Sequence, residues 1–234
     1  MAIANEPKPT TSFTNSSKVS QGETWGTITT TWATETRTWL AVSQLVTNTA
    51  KASELIDSYS ETNRNSSLTV PGSYSFTGHT LTNIGQIFTA PYSGSLISCK
   101  FYLKKTGSPT GTAVAKLYAI TGTVGTTAKP TGSALATSGT FDITTLTTSF
   151  VLYPFSFTGS ALVAGTSYAI VIEYLLGTSP TDVIDVGSDS SSPTHSGNAV
   201  YYASNAAAWF AIAGLDICFY VYGTQSSITN SVKP

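Results

Sequence analysis

The chain has 234 residues and a formal net charge of −1, and only 10% of its residues are charged, against about 25% in an average soluble domain. No basic patch or stripe is present to neutralise phosphates, so nucleic acid and anionic membrane surfaces are not expected as partners. Ser, Thr, Gly and Asn fill the polar positions. Helical surfaces favour Glu, Lys and Arg while pleated surfaces accept Thr and Tyr, so the composition predicts a mostly β protein with one large core.

The N-terminal residues Met1–Pro9 lack the apolar stretch of a signal peptide, and nowhere does the sequence approach 18 consecutive apolar residues. We therefore expect synthesis in the cytoplasm of a host cell. The composition, rich in Ser and Thr and poor in Lys and Glu, is nevertheless typical of proteins that work outside cells. Phage virion components meet both conditions, because they are built inside the host and released by lysis. A mature secreted protein without its leader is the alternative, and Met1 argues against it.

A short phrase, apolar-Thr-Asn-x-x-Lys, recurs far apart in the sequence. It occupies Phe13–Lys18, Val46–Lys51 and Ile228–Lys233, with a looser version at Ile3–Lys8. Repeated small units cannot bury a face alone and dock on neighbours, within the chain or across subunits. The repetition predicts an assembly component; chance recurrence in a chain so rich in Ser, Thr and Asn is the alternative. Three asparagines of the phrase are candidate interface residues: Asn15, Asn48 and Asn230.

Residues 1–66 are predicted to form an N-terminal attachment arm, which holds three of the four tryptophans. The three are seven residues apart: Trp25, Trp32 and Trp39. On a helix this spacing would place them on one stripe, and a short helix over 33–43 or over 53–60 is the predicted local structure. The tryptophans either anchor the arm to its own domain or fill pockets on another subunit, where aromatic anchors dominate interface energy.

Residues 67–84 contain Pro71 and two glycines and are predicted to be a turn-rich linker. Over residues 85–223, apolar and β-branched runs alternate with Gly, Pro, Ser and Thr clusters, which is the pattern of an antiparallel β-sandwich. Residues 224–234 form a C-terminal tail that repeats the phrase. The predicted strands are Gln86–Ala90, Leu96–Lys105, Thr112–Ile120, Ala134–Thr140, Phe150–Phe157, Ser167–Leu176, Val183–Val186, Ala199–Ala203 and Leu215–Tyr222.

Alternation along these strands assigns side chains to faces, because successive side chains point to opposite sides. Two sets are predicted to face the core: Ile97, Cys99, Phe101 and Leu103, and Leu215, Ile217, Phe219 and Val221. Cys218 then points outward while Cys99 points inward, so both are predicted to be free thiols. Ser167–Leu176 is apolar on both sides and predicts a central strand. Glu173 within it is predicted to be a rim residue or half of an ion pair.

Five short sequence segments, in this order along the chain, are the basis of a resemblance: Gln86–Pro91, Gly94–Lys105, Gly107–Gly111, Gly165–Ile170 and Gly187–Pro193. With them, roughly residues 85–223 resemble the jelly-roll β-sandwich module of phage structural proteins and of bacterial surface proteins of the "choice-of-anchor" type. Gly22–Gly26, Thr31–Glu35 and the repeated phrase look like leader segments of phage virion proteins. The resemblance implies a capsid decoration, head fibre or tail-associated protein. It carries over no catalytic residues, because the same sandwich also serves carbohydrate binders and adhesins.

The sequence offers few groups for catalysis. It has two histidines, and both His79 and His195 lie in turn-like segments that predict surface loops. No Gly-x-Ser-x-Gly, His-Glu-x-x-His or Cys-x-x-Cys motif and no phosphate-binding glycine loop occurs. A hydrolase needs a positioned acid and base or an activated nucleophile. The sequence therefore predicts a protein that is not an enzyme.

Two sets of residues are candidates for ligand binding. Carboxylates at close spacing offer oxygen ligands for calcium, with turn formation as the alternative: Asp182, Asp185 and Asp189. No other cofactor is expected. Aromatic rings in one loop system could stack on sugar faces: Tyr201, Tyr202 and Trp209.

The leading hypothesis is a non-enzymatic phage virion protein that displays a sandwich and contacts other virion proteins and copies of itself through its terminal segments. The first alternative is a receptor- or carbohydrate-binding module that contacts a host glycan. The second is a secreted adhesive subunit located on a cell surface.

Overall fold

The computed structural model describes residues 53–74, 78–174 and 181–225. These residues form fifteen β-strands and two short 3-10 helices, Glu61–Asn63 and Ile143–Thr145, and they contain no α-helix. None of the helices among them is long and apolar enough to cross a membrane. The strands are β1 (Glu54–Tyr59), β2 (Ser66–Val70), β3 (Gly72–Tyr74), β4 (His79–Thr89), β5 (Gly94–Thr106), β6 (Thr112–Thr121), β7 (Lys129–Thr137), β8 (Phe141–Asp142), β9 (Val151–Leu162), β10 (Ser167–Tyr174), β11 (Val183–Asp189), β12 (Ala199–Ala203), β13 (Ala208–Ile212), β14 (Asp216–Ile217) and β15 (Phe219–Gln225).

The strands form two sheets, and every pairing between the described strands is antiparallel. Seven-stranded sheet A has the order β1-β15-β5-β11-β14, with β2 paired to β11 and β9 paired to β5. Eight-stranded sheet B has the order β13-β12-β4-β10-β6-β7, with β3 paired to β4 and β8 paired to β6. The prediction of a mostly β protein built from antiparallel sheets is confirmed.

All nine predicted strands are present, and the structure adds β1, β2, β3, β8 and β13. The two-sheet domain begins earlier than the sequence indicated, because β1 pairs with β15 and β2 pairs with β11. Residues 54–84, assigned to the arm and the linker, therefore contribute to both sheets. The helix considered over 53–60 is wrong: this segment is β1, which is held beside β15 while Ile56 and Tyr59 pack into the core.

The space between the sheets is filled by apolar side chains from both, which we call the inter-sheet core. Its largest fully buried members include five aromatic rings, and burial of a side chain of this size contributes about 1.5–3 kcal/mol: Tyr174, Phe88, Phe101, Phe155 and Phe219. Strand β10 lies between β4 and β6. Its Ile170 and Ile172 face this core, while Ala169 and Val171 are equally buried on the opposite face. The prediction of a central strand is confirmed.

The alternation predicted at the end of the chain is confirmed, since all four assigned side chains are in the inter-sheet core: Leu215, Ile217, Phe219 and Val221. On β5 the prediction is wrong for Ile97. The pairing of β5 with β9 shifts register between Leu96 and Ser98, as at a β-bulge. The bulge brings Leu96 into the core and leaves Ile97 half-buried.

Both cysteines are free thiols, and both are buried. Cys218 lies outside the inter-sheet core, as alternation with its neighbours Ile217 and Phe219 predicts, but it is buried rather than exposed. Cys218 lies at the break between β14 and β15, where its backbone N–H donates to Gly187 O at 2.9 Å and its carbonyl accepts from Tyr102 N at 3.3 Å.

Sheet B is strongly curled. The rings of Tyr118 on β6 and Trp209 on β13 have centroids 5.4 Å apart, although three strands lie between them in the sheet order. The Cα atoms of β13 and β7, the two ends of the sheet, also approach within 8 Å. The inner surface of this curl, which we call the concave face, holds a second apolar cluster: Ile87, Tyr118, Ala128, Ala169, Val171 and Val200. It is the face of sheet B turned away from sheet A.

The two ends of the described domain are neighbours. Glu54 at the start of β1 pairs with Gly223 near the end of β15, and β1 is an edge strand of sheet A. The chain therefore enters and leaves the domain at the same corner. At the opposite end of sheet A, β5 ends at Thr106 beside Val183, the first residue of β11.

Candidate functional site

One cross-strand row on the concave face joins aromatic to polar side chains. The register of sheet B places Trp209 opposite Tyr202, Tyr202 opposite Asn83, and Asn83 opposite Glu173. Lys116 on β6 reaches the same row from the next strand. Because alternate residues share a face of a sheet, these five side chains point toward the same side. The concave face is therefore the candidate functional site.

Three aromatic side chains line one part of this site. Trp209 contacts Tyr202 with ring centroids 5.2 Å apart and contacts Tyr118 at 5.4 Å, both edge to face. Trp209 and Tyr202 are half-buried, whereas Tyr118 is buried. Half-buried rings next to polar groups are the surfaces on which apolar sugar faces stack.

The polar part of the site is a chain of charge-assisted hydrogen bonds. Lys116 Nζ lies 2.6 Å from Glu173 Oε1, and Asn83 Nδ2 donates to Glu173 Oε2 at 2.6 Å. We call these residues the Lys–Glu–Asn triad. Glu173 is thus half of an ion pair, which confirms one of the two roles predicted for it. The pair is formally neutral, so the site offers hydrogen-bonding groups without a net charge.

The electrostatics link the two parts of the site. Burial raises the pKa of the Tyr118 phenol, and the negative charge of Glu173 and the nearby Tyr202 raise it further. Tyr118 therefore stays protonated and uncharged over the whole neutral range. The site thus combines an uncharged phenol, an indole and a formally neutral ion pair, a set suited to binding uncharged hydroxyl groups.

The structure separates the three aromatic residues predicted to bind a ligand. Tyr202 and Trp209 share the concave face, but Tyr201 points into the inter-sheet core. There its ring stacks on Phe210 at 5.2 Å and its hydroxyl lies 2.8 Å from Nδ1 of His79. Adjacent strand residues must face opposite ways, so Tyr201 and Tyr202 cannot serve one surface. Sequence reasoning missed Asn83, Lys116 and Tyr118, since only the pairing of β4 and β6 with β10 brings them together.

Neither histidine is the surface loop residue that the sequence predicted. His79 lies on β4 and packs on Phe210 with ring centroids 4.3 Å apart. The His195 side chain is 7% exposed. Its Nδ1 accepts a hydrogen bond from Gly197 N at 3.0 Å and lies 3.2 Å from Gln86 Nε2. This pattern assigns the ring proton to Nε2, which lies 3.2 Å from Asp57 Oδ1.

A second carboxylate, the buried Asp216, completes the His195 network. Asp216 Oδ1 accepts from Gln86 Nε2 at 2.8 Å, and Asp216 Oδ2 accepts from His195 N at 2.9 Å. Gln86 Oε1 accepts from Ile217 N at 2.8 Å. Burial raises the pKa of the Asp216 carboxyl, while the bonds from His195 and Gln86 oppose the shift. Within the described residues, the side-chain and backbone groups that hydrogen-bond to the His195 ring belong to Gln86, Gly197 and Asp57.

The three aspartates proposed as calcium ligands are not brought together. Asp182 Oδ1 accepts from Ser108 N at 2.7 Å. Asp185 accepts from Thr69 and Thr106 at 2.7 and 2.8 Å and pairs with Lys104 at 3.6 Å. Within the described ranges no group of three or more His, Cys, Asp or Glu side chains could hold a metal ion.

Asp189 has its own set of donors. Tyr59 Oη donates to Asp189 Oδ2 at 2.7 Å, while Asn65 Nδ2 and Ser191 N donate to Oδ1. The hydrogen bond from Tyr59 lowers the pKa of this carboxyl the most, followed by the backbone N–H of Ser191. Asp182, Asp185 and Asp189 therefore each have hydrogen-bond donors of their own.

The candidate assembly residues lie outside the described part of the chain. These are Trp25, Trp32, Trp39, Asn15, Asn48 and Asn230.

The fold and the site define a mostly β protein of two antiparallel sheets, one of them curled around an aromatic and polar concave face. No family model matches the sequence, and no curated protein matches it either.

Proposed function

We propose that the chain is a non-enzymatic structural component of a phage virion, which displays a jelly-roll β-sandwich and attaches it to the particle through its terminal segments. The pairing of Glu54 with Gly223 is the observation that carries this proposal. Both segments that bear the repeated phrase join the domain at one corner of sheet A. A domain tied at one corner from both ends presents its opposite end outward, as a decoration, head fibre or tail-associated protein requires.

A structural role also accounts for how the polar groups of the domain are used. His195, Asp216 and Asp189 bond to backbone and side-chain donors or acceptors that hold strands together. Buried polar groups of this kind stabilise a fold when they are fully satisfied. Other virion proteins and further copies of the chain are the proposed partners, and the virion is the proposed location.

Removal of residues 1–52 tests the proposal, because this deletion ends before β1 and removes no described strand. We expect the truncated domain to unfold cooperatively near the wild-type temperature but to be missing from purified particles. A full-length variant with Trp25, Trp32 and Trp39 all changed to Ala should be depleted in the same way. A matched variant with Trp209→Ala, outside the arm, should be incorporated normally. Incorporation of the truncated chain at the wild-type level would refute the proposal that the terminal segments attach the domain to the particle.

Carbohydrate recognition at the concave face is a second candidate function, favoured by the contact of Trp209 with Tyr202 beside the formally neutral Lys–Glu–Asn triad. Aromatic faces stack on the apolar faces of sugars, and the neighbouring polar groups bind hydroxyls. The implied ligand is an uncharged saccharide of a host surface.

A glycan array separates the two functions. If the domain binds a saccharide, Trp209→Ala should abolish binding, whereas Tyr201→Phe should retain it, because Tyr201 faces the other way. Tyr222→Ala, on the outer face of sheet A beside Lys100, is the control for loss of binding through misfolding. If the folded wild-type protein binds no saccharide on the array, the second candidate function is contradicted and display of the domain on a virion stays the proposal.

A further inference from the structure

The Lys–Glu–Asn triad places an amine and a carboxamide on the two oxygens of one carboxylate. Its residues come from three neighbouring strands in the order β4, β10 and β6. Lys116 Nζ is 2.6 Å from Glu173 Oε1, and Asn83 Nδ2 is 2.6 Å from Glu173 Oε2. The Asn83 carbonyl oxygen also accepts a hydrogen bond from Thr82 Oγ1 at 2.8 Å.

We propose that the triad forms an amide bond between Lys116 Nζ and Asn83 Cγ, so that the folded chain carries an internal cross-link. Attack of an amine on a carboxamide needs a base for the amine, an acid for the leaving nitrogen and a donor that polarises the carbonyl. Glu173 Oε1 is placed to be the base, and the same carboxyl acts through Oε2 as the acid. Thr82 is the donor at the carbonyl oxygen.

The atoms and charges balance without any further reactant. Lys116 Nζ passes one proton to Glu173 and attacks Cγ, and the developing negative charge on Asn83 Oδ1 is stabilised by Thr82. The bond between Cγ and Nδ2 then breaks, and the carboxamide nitrogen leaves as ammonia. Of the three protons on the original ammonium, one stays on the new amide nitrogen, one travels through Glu173 to the ammonia, and one remains on Glu173.

The surroundings favour this reaction over hydrolysis. Asn83 is 3% exposed and the Glu173 side chain is 12% exposed, so little water reaches the carbonyl carbon. The Lys116 side chain is 23% exposed, which gives the ammonia a route to solvent. Exclusion of water strengthens the electrostatic contacts that guide the proton.

The cross-link would join β4 to β6 across β10, at the centre of sheet B. A covalent link between positions 83 and 116 restricts the unfolded chain in the way that a disulfide does. It suits a domain that has only two cysteines, both free. The inference does not depend on the proposed virion role.

Mass spectrometry of the folded full-length chain tests the proposal. We expect the intact mass, corrected for any loss of Met1, to be lower than the sequence mass by one ammonia. Proteolysis should release a branched peptide that joins Asn83 to Lys116. Lys116→Arg and Glu173→Gln should each restore the full mass. Lys104→Arg, the same change in the ion pair with Asp185, should keep the mass loss.

The intact mass and the peptides of the wild-type chain test the proposal even if the variants fold poorly. A cooperatively melting wild-type protein with the full sequence mass and no branched peptide would overturn the proposal. A mass gain from hydrolysis of the Asn83 amide would overturn it too, since water rather than Lys116 would then reach Cγ. Mass loss that persists in Glu173→Gln would remove the role assigned to Glu173.

Discussion

Gly85 on β4 and Val171 on β10 are paired directly, and the absence of a side chain at Gly85 lets the two backbones approach closely. A Cβ atom added to Gly85 would overlap the backbone oxygen of Ile170 and lie 2.8 Å from Val171 Cα. In a flat sheet, four strand spacings would separate β6 from β13 by about 19 Å. The contact between Tyr118 and Trp209 therefore requires a bend, and a strand-interior glycine is the usual place for one.

Gly85→Val should destabilise the domain by at least about 3 kcal/mol, because the new side chain meets backbone atoms that cannot move aside without unpairing the strands. Urea unfolding monitored by tryptophan fluorescence measures the change. Gly139→Val is the matched control, since an added Cβ there meets no atom within 4 Å. Equal stabilities of the two variants would contradict the close approach of the two backbones at Gly85.

Gln86→Leu should cost about 2–4 kcal/mol, because it leaves both Asp216 Oδ1 and the backbone N–H of Ile217 without their partner in a buried site. Thr131→Leu, at an exposed position of β7, should change stability by less than about 0.5 kcal/mol. Thermal melts of the two variants beside the wild type give the comparison. If Gln86→Leu leaves the melting temperature unchanged, the His195 network contributes little to the stability of the fold.

The sequence was informative wherever the determinants are local. Alternation placed Leu215, Ile217, Phe219 and Val221 in the core, and Gly and Pro clusters separated the strands. It failed at β1, because the six residues Glu54–Tyr59 become a strand only through pairing with β15. It also failed at His195, whose environment depends on Gln86 and Asp57, 109 and 138 residues away along the chain.

The candidate site was partly predictable for the same reason. Tyr202 and Trp209 were identified as aromatic candidates, but the opposite orientation of Tyr201 follows from the pleat once the strand is recognised. The polar half of the site was not predictable. Glu173 was assigned to a rim or an ion pair, and its partners come from β4 and β6, which are brought beside it by tertiary pairing alone.

Cys99 and Cys218 should resist alkylation in the folded protein and react rapidly once it is unfolded. Burial raises the pKa of both thiols, to about 12 for Cys218, and the thiolate is the reactive form. A chromogenic thiol assay should count no thiol natively within minutes and two in denaturant. Ser133→Cys, at an exposed position, supplies the fast-reacting control. Rapid native labelling of two thiols in the wild type would contradict the burial.

Asp189 should make the domain sensitive to acid. Hydrogen bonds from Tyr59 and from Ser191 N hold the pKa of the folded-state carboxyl well below its ordinary value. A carboxyl with a depressed folded pKa contributes stability that is complete above its unfolded pKa and is lost as the pH falls toward the folded one. We therefore expect the melting temperature to fall as the pH decreases from about 4 to about 2, and the fall to be shallower in Asp189→Asn.

Asp216 provides the opposite control. Burial raises the pKa of Asp216 in the folded state, so protonation of this carboxyl favours folding as the pH falls through that value. Removal of its titration in Asp216→Asn should make the acid limb of the stability curve steeper, whereas removal of the Asp189 titration makes it shallower. Melting temperatures of the three proteins, measured at half-unit intervals of pH, test both signs. Parallel acid limbs in all three would show that neither carboxyl is linked to folding in the way that their hydrogen bonds require.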